Sequence, residues 1–259
     1  MNILLLKIFI APLLIALVTW AGRRYGPAVG GMLVGLPLTS APLALIFALE
    51  NGTTFAAESC SGILLGLVPV HAFLLSYALC SRRFKWPLCS CISLVVFMLF
   101  LLVMKMIVLS LLPAFIISVV SLVITWKVFP MAGTANQKAK THVWELPVRM
   151  ITAMVFILII SYFSTHLGPR LSGLLSPFPV YGTIFAASTH YFSGADATIK
   201  LLKGFVIGSC SFAVFFLILG MTIVEPGMVI SFSLATTGAL LLQFLVYRRM
   251  VQVKNAQIN

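Results

Sequence analysis

From Leu88 to Phe129 the chain runs for 42 residues with only two charged side chains, Lys105 and Lys127. About 20 apolar residues already cross a hydrocarbon core as a helix, so this run is twice the length of one crossing. Lys105, Ser110 and Pro113 fall near its middle, where a charge and a helix breaker predict a hairpin of two spans. Ile3 to Gly22, Val148 to Leu167 and Met228 to Tyr247 each match a single crossing. Nine spans are expected along the chain, at roughly 3–22, 28–49, 55–80, 87–105, 110–129, 148–167, 171–192, 197–220 and 228–247. The first is too long for a signal-peptide core and leads into Arg23, Arg24 and Tyr25 rather than a small-residue cleavage site, so it is expected to be retained.

A soluble fold would have to hide too much. The chain is 61% hydrophobic and 8% charged, with a mean hydropathy of +1.13, whereas about one quarter of a soluble domain is charged. The net charge of +12 sits in short connections between apolar runs, so the expected partner is the anionic cytoplasmic leaflet and not nucleic acid. Cys60, Cys80, Cys89, Cys91 and Cys210 lie in or beside apolar runs without metal-ligand spacing and are read as small packing residues.

Loop charges test the span count, because lysine and arginine in short loops are retained on the cytoplasmic side. With the N-terminus outside, the inner connections collect Arg23, Arg24, Arg82, Arg83, Lys85, Lys127, Lys138, Lys140, Arg149, Lys200, Lys203, Arg248, Arg249 and Lys254. Only Lys7, Lys105 and Arg170 remain outside. A wrong count would shift the parity partway along and mix the two groups, so this separation favours nine crossings with the N-terminus out and the C-terminus in. The compact loops suggest a bacterial inner membrane.

An internal repeat organises the chain. A shift of 142 residues superposes Gly26 and Pro27 on Gly168 and Pro169, Gly31 on Gly173, Leu33 on Leu175, Pro37 on Pro179 and Ala44 on Ala186. The same shift places Gly52 on Gly194, Gly62 on Gly204 and Gly66 on Gly208. Most of these identities are glycine or proline, which fix backbone geometry instead of merely filling lipid-facing surface. The expected fold is therefore an all-α polytopic membrane protein built from two four-helix repeats. The first covers 1–105, a linker helix with a cytoplasmic loop covers 106–147, and the second repeat with a tail covers 148–259. Five crossings separate equivalent points, so the halves should be inverted, an arrangement common among secondary transporters.

Spans two and seven carry proline near mid-span, at Pro37 and at Pro177 and Pro179, and are expected to be broken there. Backbone groups released by a break must line a cavity or be buried in protein, and the half-helix that follows presents amide donors. Pro37, Thr39, Ser40, Pro179, Tyr181 and Thr183 are accordingly the candidate substrate-binding residues; the competing reading is a pair of simple kinks whose hydroxyls bond back to their own helix. Glycines at four-residue spacing, Gly62 with Gly66 and Gly204 with Gly208, predict close helix approach, with spans two and three, and seven and eight, as the tight pairs.

Intramembrane ionisable groups are costly, which singles out His71 as a proton-coupling or substrate-contact residue; the competing reading is a histidine satisfied by helix packing. Glu50, Glu58, Asp196, Lys200 and His190 are candidate gate residues, with Glu58 falling on Lys200 under the 142-residue shift; ordinary interfacial anchors are the alternative. No span carries an acidic residue at its middle, so a sodium ion or a proton held on a buried carboxylate is not expected. No HExxH, nucleophile elbow or cluster of metal ligands is present, so neither enzymatic chemistry, a metal nor a cofactor is expected. The leading expectation is a transporter for a small polar or weakly acidic solute, with a homodimer as one possible assembly. A non-catalytic scaffold, channel or lipid-handling subunit is the alternative.

Overall fold

The computed structural model describes residues 24–133 and 169–256 continuously, together with Leu13, Ala16, Leu17, Thr19, Trp20, Gly22, Pro147, Met150, Ile151 and Val155. The spans expected at 3–22 and 148–167 lie almost wholly outside the described residues. Among the described residues the chain is all-helical. The helices are α1 (Pro27–Val34), α2 (Ser40–Asn51), α3 (Thr53–Leu65), α4 (Leu67–Cys80), α5 (Trp86–Met106), α6 (Leu111–Val128), α7 (Val180–Thr222) and α8 (Met228–Ala256). A helical segment at 169–175 precedes α7.

Five helical runs are long and apolar enough to cross a membrane: Thr53–Cys80, Trp86–Met106, Leu111–Val128, Pro169–Thr222 and Met228–Arg249. The difference from nine expected spans has a local origin. The second expected span is cut into α1 and α2, of 8 and 12 residues, each too short to cross alone. The seventh and eighth merge into one run of 54 residues. The long run from Leu88 to Phe129 does divide: α5 ends at Met106, Ile107 is extended, and Ser110, also extended, takes the N-cap position of α6 without a side-chain cap bond.

Burial separates inner from outer helices. In the runs Thr53–Cys80 and Pro169–Thr222, 67% and 61% of the most apolar stretch is buried, against 28%, 17% and 22% in the other three. Outward faces carry Leu102, Ile116, Val229 and Leu241, all large and apolar, as helices bathed in hydrocarbon do. Two apolar clusters fill the interior. One joins Val70, Phe73, Tyr77 and Phe97 to Tyr181, Phe185 and Phe205. The other joins Phe47, Ala56 and Leu64 to Phe212, Phe216 and Leu219.

The backbone repeats itself at the 142-residue spacing. Gly52 stands at φ 90°, ψ 163° and Gly194 at φ 79°, ψ 179°, a left-handed region that glycine enters without a Cβ penalty. Close contacts repeat as well, with partners exchanged. A Cβ on Gly31 would collide with the Leu201 carbonyl, and one on Gly173 with the Ser59 carbonyl. Gly204 abuts the Ala28 carbonyl as Gly62 abuts that of Arg170. Gly208 meets Met32 and Gly35 while Gly66 meets Leu174 and Pro177. Each contact becomes its counterpart on adding 142 to one residue and subtracting it from the other. These glycine faces correct the expected pairing: the close approaches join span two to span eight and span three to span seven, crossing between the halves. The reason is registry, since a glycine stripe permits approach by any helix whose carbonyls fall opposite it.

Candidate functional site

The two proline breaks have the same local structure. After α1 the Leu36 amide donates to the Leu33 carbonyl (3.1 Å), and the Phe178 amide donates to Leu175 (3.0 Å). The Leu38 amide then reaches back to Leu36 at 2.7 Å across Pro37, as the Val180 amide reaches Phe178 at 2.7 Å across Pro179. Pro179 has φ −79° and ψ 52°, an inverse γ-turn whose φ suits the locked proline ring. Helix resumes on the far side, where Ala41 donates to Pro37 (2.9 Å) and Thr183 to Pro179 (2.7 Å).

These breaks face each other. Val34, Leu36 and Thr39 from the first, and Pro177, Phe178, Pro179, Tyr181 and Gly182 from the second, line one cavity with Leu67 and Val70 of α4 and Phe205 and Phe212 of α7. The cavity is small, with room for about one water. Its lining draws on both apolar clusters, so the cavity sits where they meet.

The hydroxyls around the breaks differ in their commitments. Thr183 donates to the Pro179 carbonyl at 2.7 Å, bonding back to its own helix. Thr39 occupies the N-cap position of α2 but makes no side-chain cap bond. Ser40 Oγ, Ser176 Oγ and Tyr181 Oη are buried with no hydrogen-bond partner among the described residues. Such atoms are uncommon in folded proteins; these three lie along the two breaks, whereas Tyr77 Oη and His190 Nδ1, also without a partner among the described residues, lie outside the cavity lining.

His71 lies one residue beyond the cavity-lining Val70 and is 1% exposed. Its Nδ1 is 2.7 Å from Ser121 Oγ on α6 and its Nε2 is 2.8 Å from Ser209 Oγ on α7. One side chain thus joins three helices. Ser121 and Ser209 carried no signal in the sequence, since serine is common in apolar helices.

Further from the cavity two polar clusters tie connections together. Asp196 Oδ1 accepts from the Gly133 amide at 2.8 Å and lies 3.6 Å from the Arg82 guanidinium, which also donates to the Met131 carbonyl. The Arg170 guanidinium donates to the Lys105 and Ile107 carbonyls at the α5–α6 turn. Glu50 and Glu58 stand exposed about the Gly52 turn and Lys200 half-buried on α7; none of them lines the cavity. His190 packs edge-on against Tyr77, with ring centroids 6.0 Å apart, and is likewise outside the lining.

Gln243, unremarked in the sequence, is the amide of an otherwise apolar stretch of α8 and is 8% exposed. It accepts from Ser211 Oγ at 2.7 Å and donates to the Met32 carbonyl at 3.2 Å. Met32 is in the last turn of α1, where carbonyls lose their helical donors, so Gln243 completes the end that the break leaves open.

The fold and site define an all-helical protein whose apolar helices are of the kind that crosses a membrane. Compared with protein-family models, curated proteins and solved structures, the chain matches none.

Proposed function

We propose that the chain is a multi-pass membrane transporter or permease that moves a small polar or weakly acidic metabolite by alternating access between two inverted halves. The observation that carries this reading is the exchange of contacts at the 142-residue spacing, Gly31 with Leu201 against Gly173 with Ser59, around a cavity built from both breaks. Exchanged contacts imply a two-fold relation between the halves. If five crossings separate equivalent points, that axis lies in the membrane plane, and a closure on one side has a counterpart of similar energy on the other.

The long-range polar contacts fit the same crossing count. Arg82, Met131, Gly133 and Asp196 belong to connections that nine crossings put inside, and Arg170, Lys105 and Ile107 to connections that they put outside. The cluster holding Tyr77, Phe97 and Phe185 then forms a plug below the cavity, and the cluster holding Phe47, Ala56 and Leu219 a plug above it. Mostly apolar walls with the hydroxyls of Thr39 and Tyr181 suit a weak organic acid with an apolar body.

Uptake of a panel of radiolabelled weak organic acids into proteoliposomes tests the reading. Pro37→Ala and Pro179→Ala should each depress uptake while the protein remains inserted. Normal uptake by both variants would remove the breaks from the pathway, and no uptake of any solute by the unaltered protein would favour a scaffold.

A further inference from the structure

The contacts of His71 define a balance of protons. Ser121 Oγ lies 2.8 Å from the Ser118 carbonyl and Ser209 Oγ 2.6 Å from the Val206 carbonyl, and the imidazole touches both serines. Four hydrogen bonds need four protons. The two hydroxyls supply two and a neutral imidazole one, since only one of its ring nitrogens carries hydrogen. A second ring proton completes the set without moving any heavy atom: the imidazolium donates to both serines, and each serine donates to its own helix. In the neutral network one serine turns its hydroxyl to the bare ring nitrogen instead of its own helix, so the network accepts a further proton by rotating that hydroxyl back.

Its surroundings oppose charge. Among the described residues, the titratable groups on the helices packed about it are Glu58 and Cys60 on α3, Tyr77 and Cys80 on α4, Cys89, Cys91 and Lys105 on α5, Lys127 on α6, and Tyr181, His190, Tyr191, Asp196, Lys200, Lys203 and Cys210 on α7. The imidazole is 1% exposed, and among the described residues its ring nitrogens meet only the two serine hydroxyls. A buried cation without a counter-charge is costly, so binding the further proton favours any arrangement that lets water approach. Water has a short route. Leu67 and Val70 on α4 line the cavity beside His71, and Phe205 and Phe212, which flank Ser209 at helical spacing on α7, line it as well. The network is also unpaired in the repeat: the 142-residue shift puts Ala213 opposite His71 and Leu67 opposite Ser209.

We propose that His71, Ser121 and Ser209 form a proton-binding site whose loading is coupled to opening of the central cavity, making the proton the coupling ion. A proton that binds the open arrangement more tightly shifts the population toward it by that difference. This inference rests on the transporter reading for the meaning of opening, but proton binding is measurable without a solute.

The test uses the full chain in lipid bilayers, with 15N-labelled histidine and His142→Gln, His166→Gln and His190→Gln together, leaving His71 as the single histidine. Both ring nitrogens should become protonated as pH falls from 8 to 4. Over the same interval, Thr39→Cys in a background lacking the five native cysteines should react several-fold faster with a membrane-impermeant thiol reagent. Ser209→Ala and Ser121→Ala should each weaken proton binding about tenfold, the effect of losing one charge-assisted hydrogen bond. An imidazole that keeps one bare nitrogen to pH 4 overturns the proposal, and so does protonation without a change in cysteine reactivity. In either case labelling of Thr39→Cys at fixed pH from each face in turn judges alternating access separately.

Discussion

Replacing Gly31 or Gly173 by alanine sets two opposing effects against each other. In a helix interior, alanine is favoured over glycine by about 1 kcal/mol. Against this, the new Cβ at Gly31 would stand 2.8 Å from the Leu201 carbonyl carbon as well as colliding with its oxygen, and at Gly173 it would stand 3.1 Å from the Ser59 carbonyl carbon and the Ile63 nitrogen. These are backbone atoms in helices and have no rotamer by which to retreat, so the cost falls toward the upper end of the roughly 1–3 kcal/mol typical of overpacking. The net expectation is a loss of about 1–2 kcal/mol in each variant, or several degrees in Tm at about 2–4 °C per kcal/mol. Cys60 and Cys89 are fully buried, so a thiol-reactive dye in a thermal ramp reads unfolding of detergent-solubilised protein. Packing across the halves predicts that both variants melt earlier and by similar amounts. Stabilisation of both would show that helix propensity prevails and the close approach is absent; loss in Gly31→Ala alone would refute the exchange of contacts.

Gln243→Leu should lower thermal stability by about 1–3 kcal/mol, because it strands the Ser211 hydroxyl and the Met32 carbonyl in an apolar interior; an unchanged melting curve would show that α1 does not depend on this amide. Asp196→Asn should cost at most about 1 kcal/mol, since Arg82 and Asp196 are 50% and 32% exposed and such pairs are weak. It should nevertheless speed thiol labelling of a cysteine at Met131, whereas equal rates would remove the Arg82–Asp196 cluster as a gate. Gly52→Ala and Gly194→Ala should both destabilise for a backbone reason, positive φ, although Gly52 has no atom that a Cβ would meet within 4 Å; thermal melts showing either to be neutral would contradict that geometry.

Much of this architecture was legible because it rests on residues that dictate backbone shape. Lys105 and Ser110 marked the end of one helix and the start of the next, and Pro37 and Pro179 marked the breaks. The glycines at 31, 62, 173 and 204 announced close approach, but a stripe of small residues does not name the helix that lies against it, and the pairing across the halves emerged only from the positions of the opposing carbonyls. Polar partnerships were less visible. His71 stood out as an ionisable group at depth, whereas its partners Ser121 and Ser209 resemble every other serine that bonds back within an apolar helix. Arg82 and Arg170 bind main-chain carbonyls, which leave no trace in a sequence. Gln243 did leave one, an amide in a span otherwise built for lipid, and its role follows from the carbonyl that the first break exposes.

Two-sided cysteine labelling tests the inverted arrangement most directly. In a cysteine-free background, Arg24→Cys reports the connection after the expected first span, and Arg170→Cys the connection before the expected seventh. Met106→Cys, at a position 81% exposed, reports the turn that Arg170 contacts without removing that contact. The account predicts that an impermeant reagent reaches Arg24→Cys from the cytoplasmic face, and Arg170→Cys and Met106→Cys from the opposite face. Labelling of Arg24→Cys and Arg170→Cys from the same face would contradict the inversion.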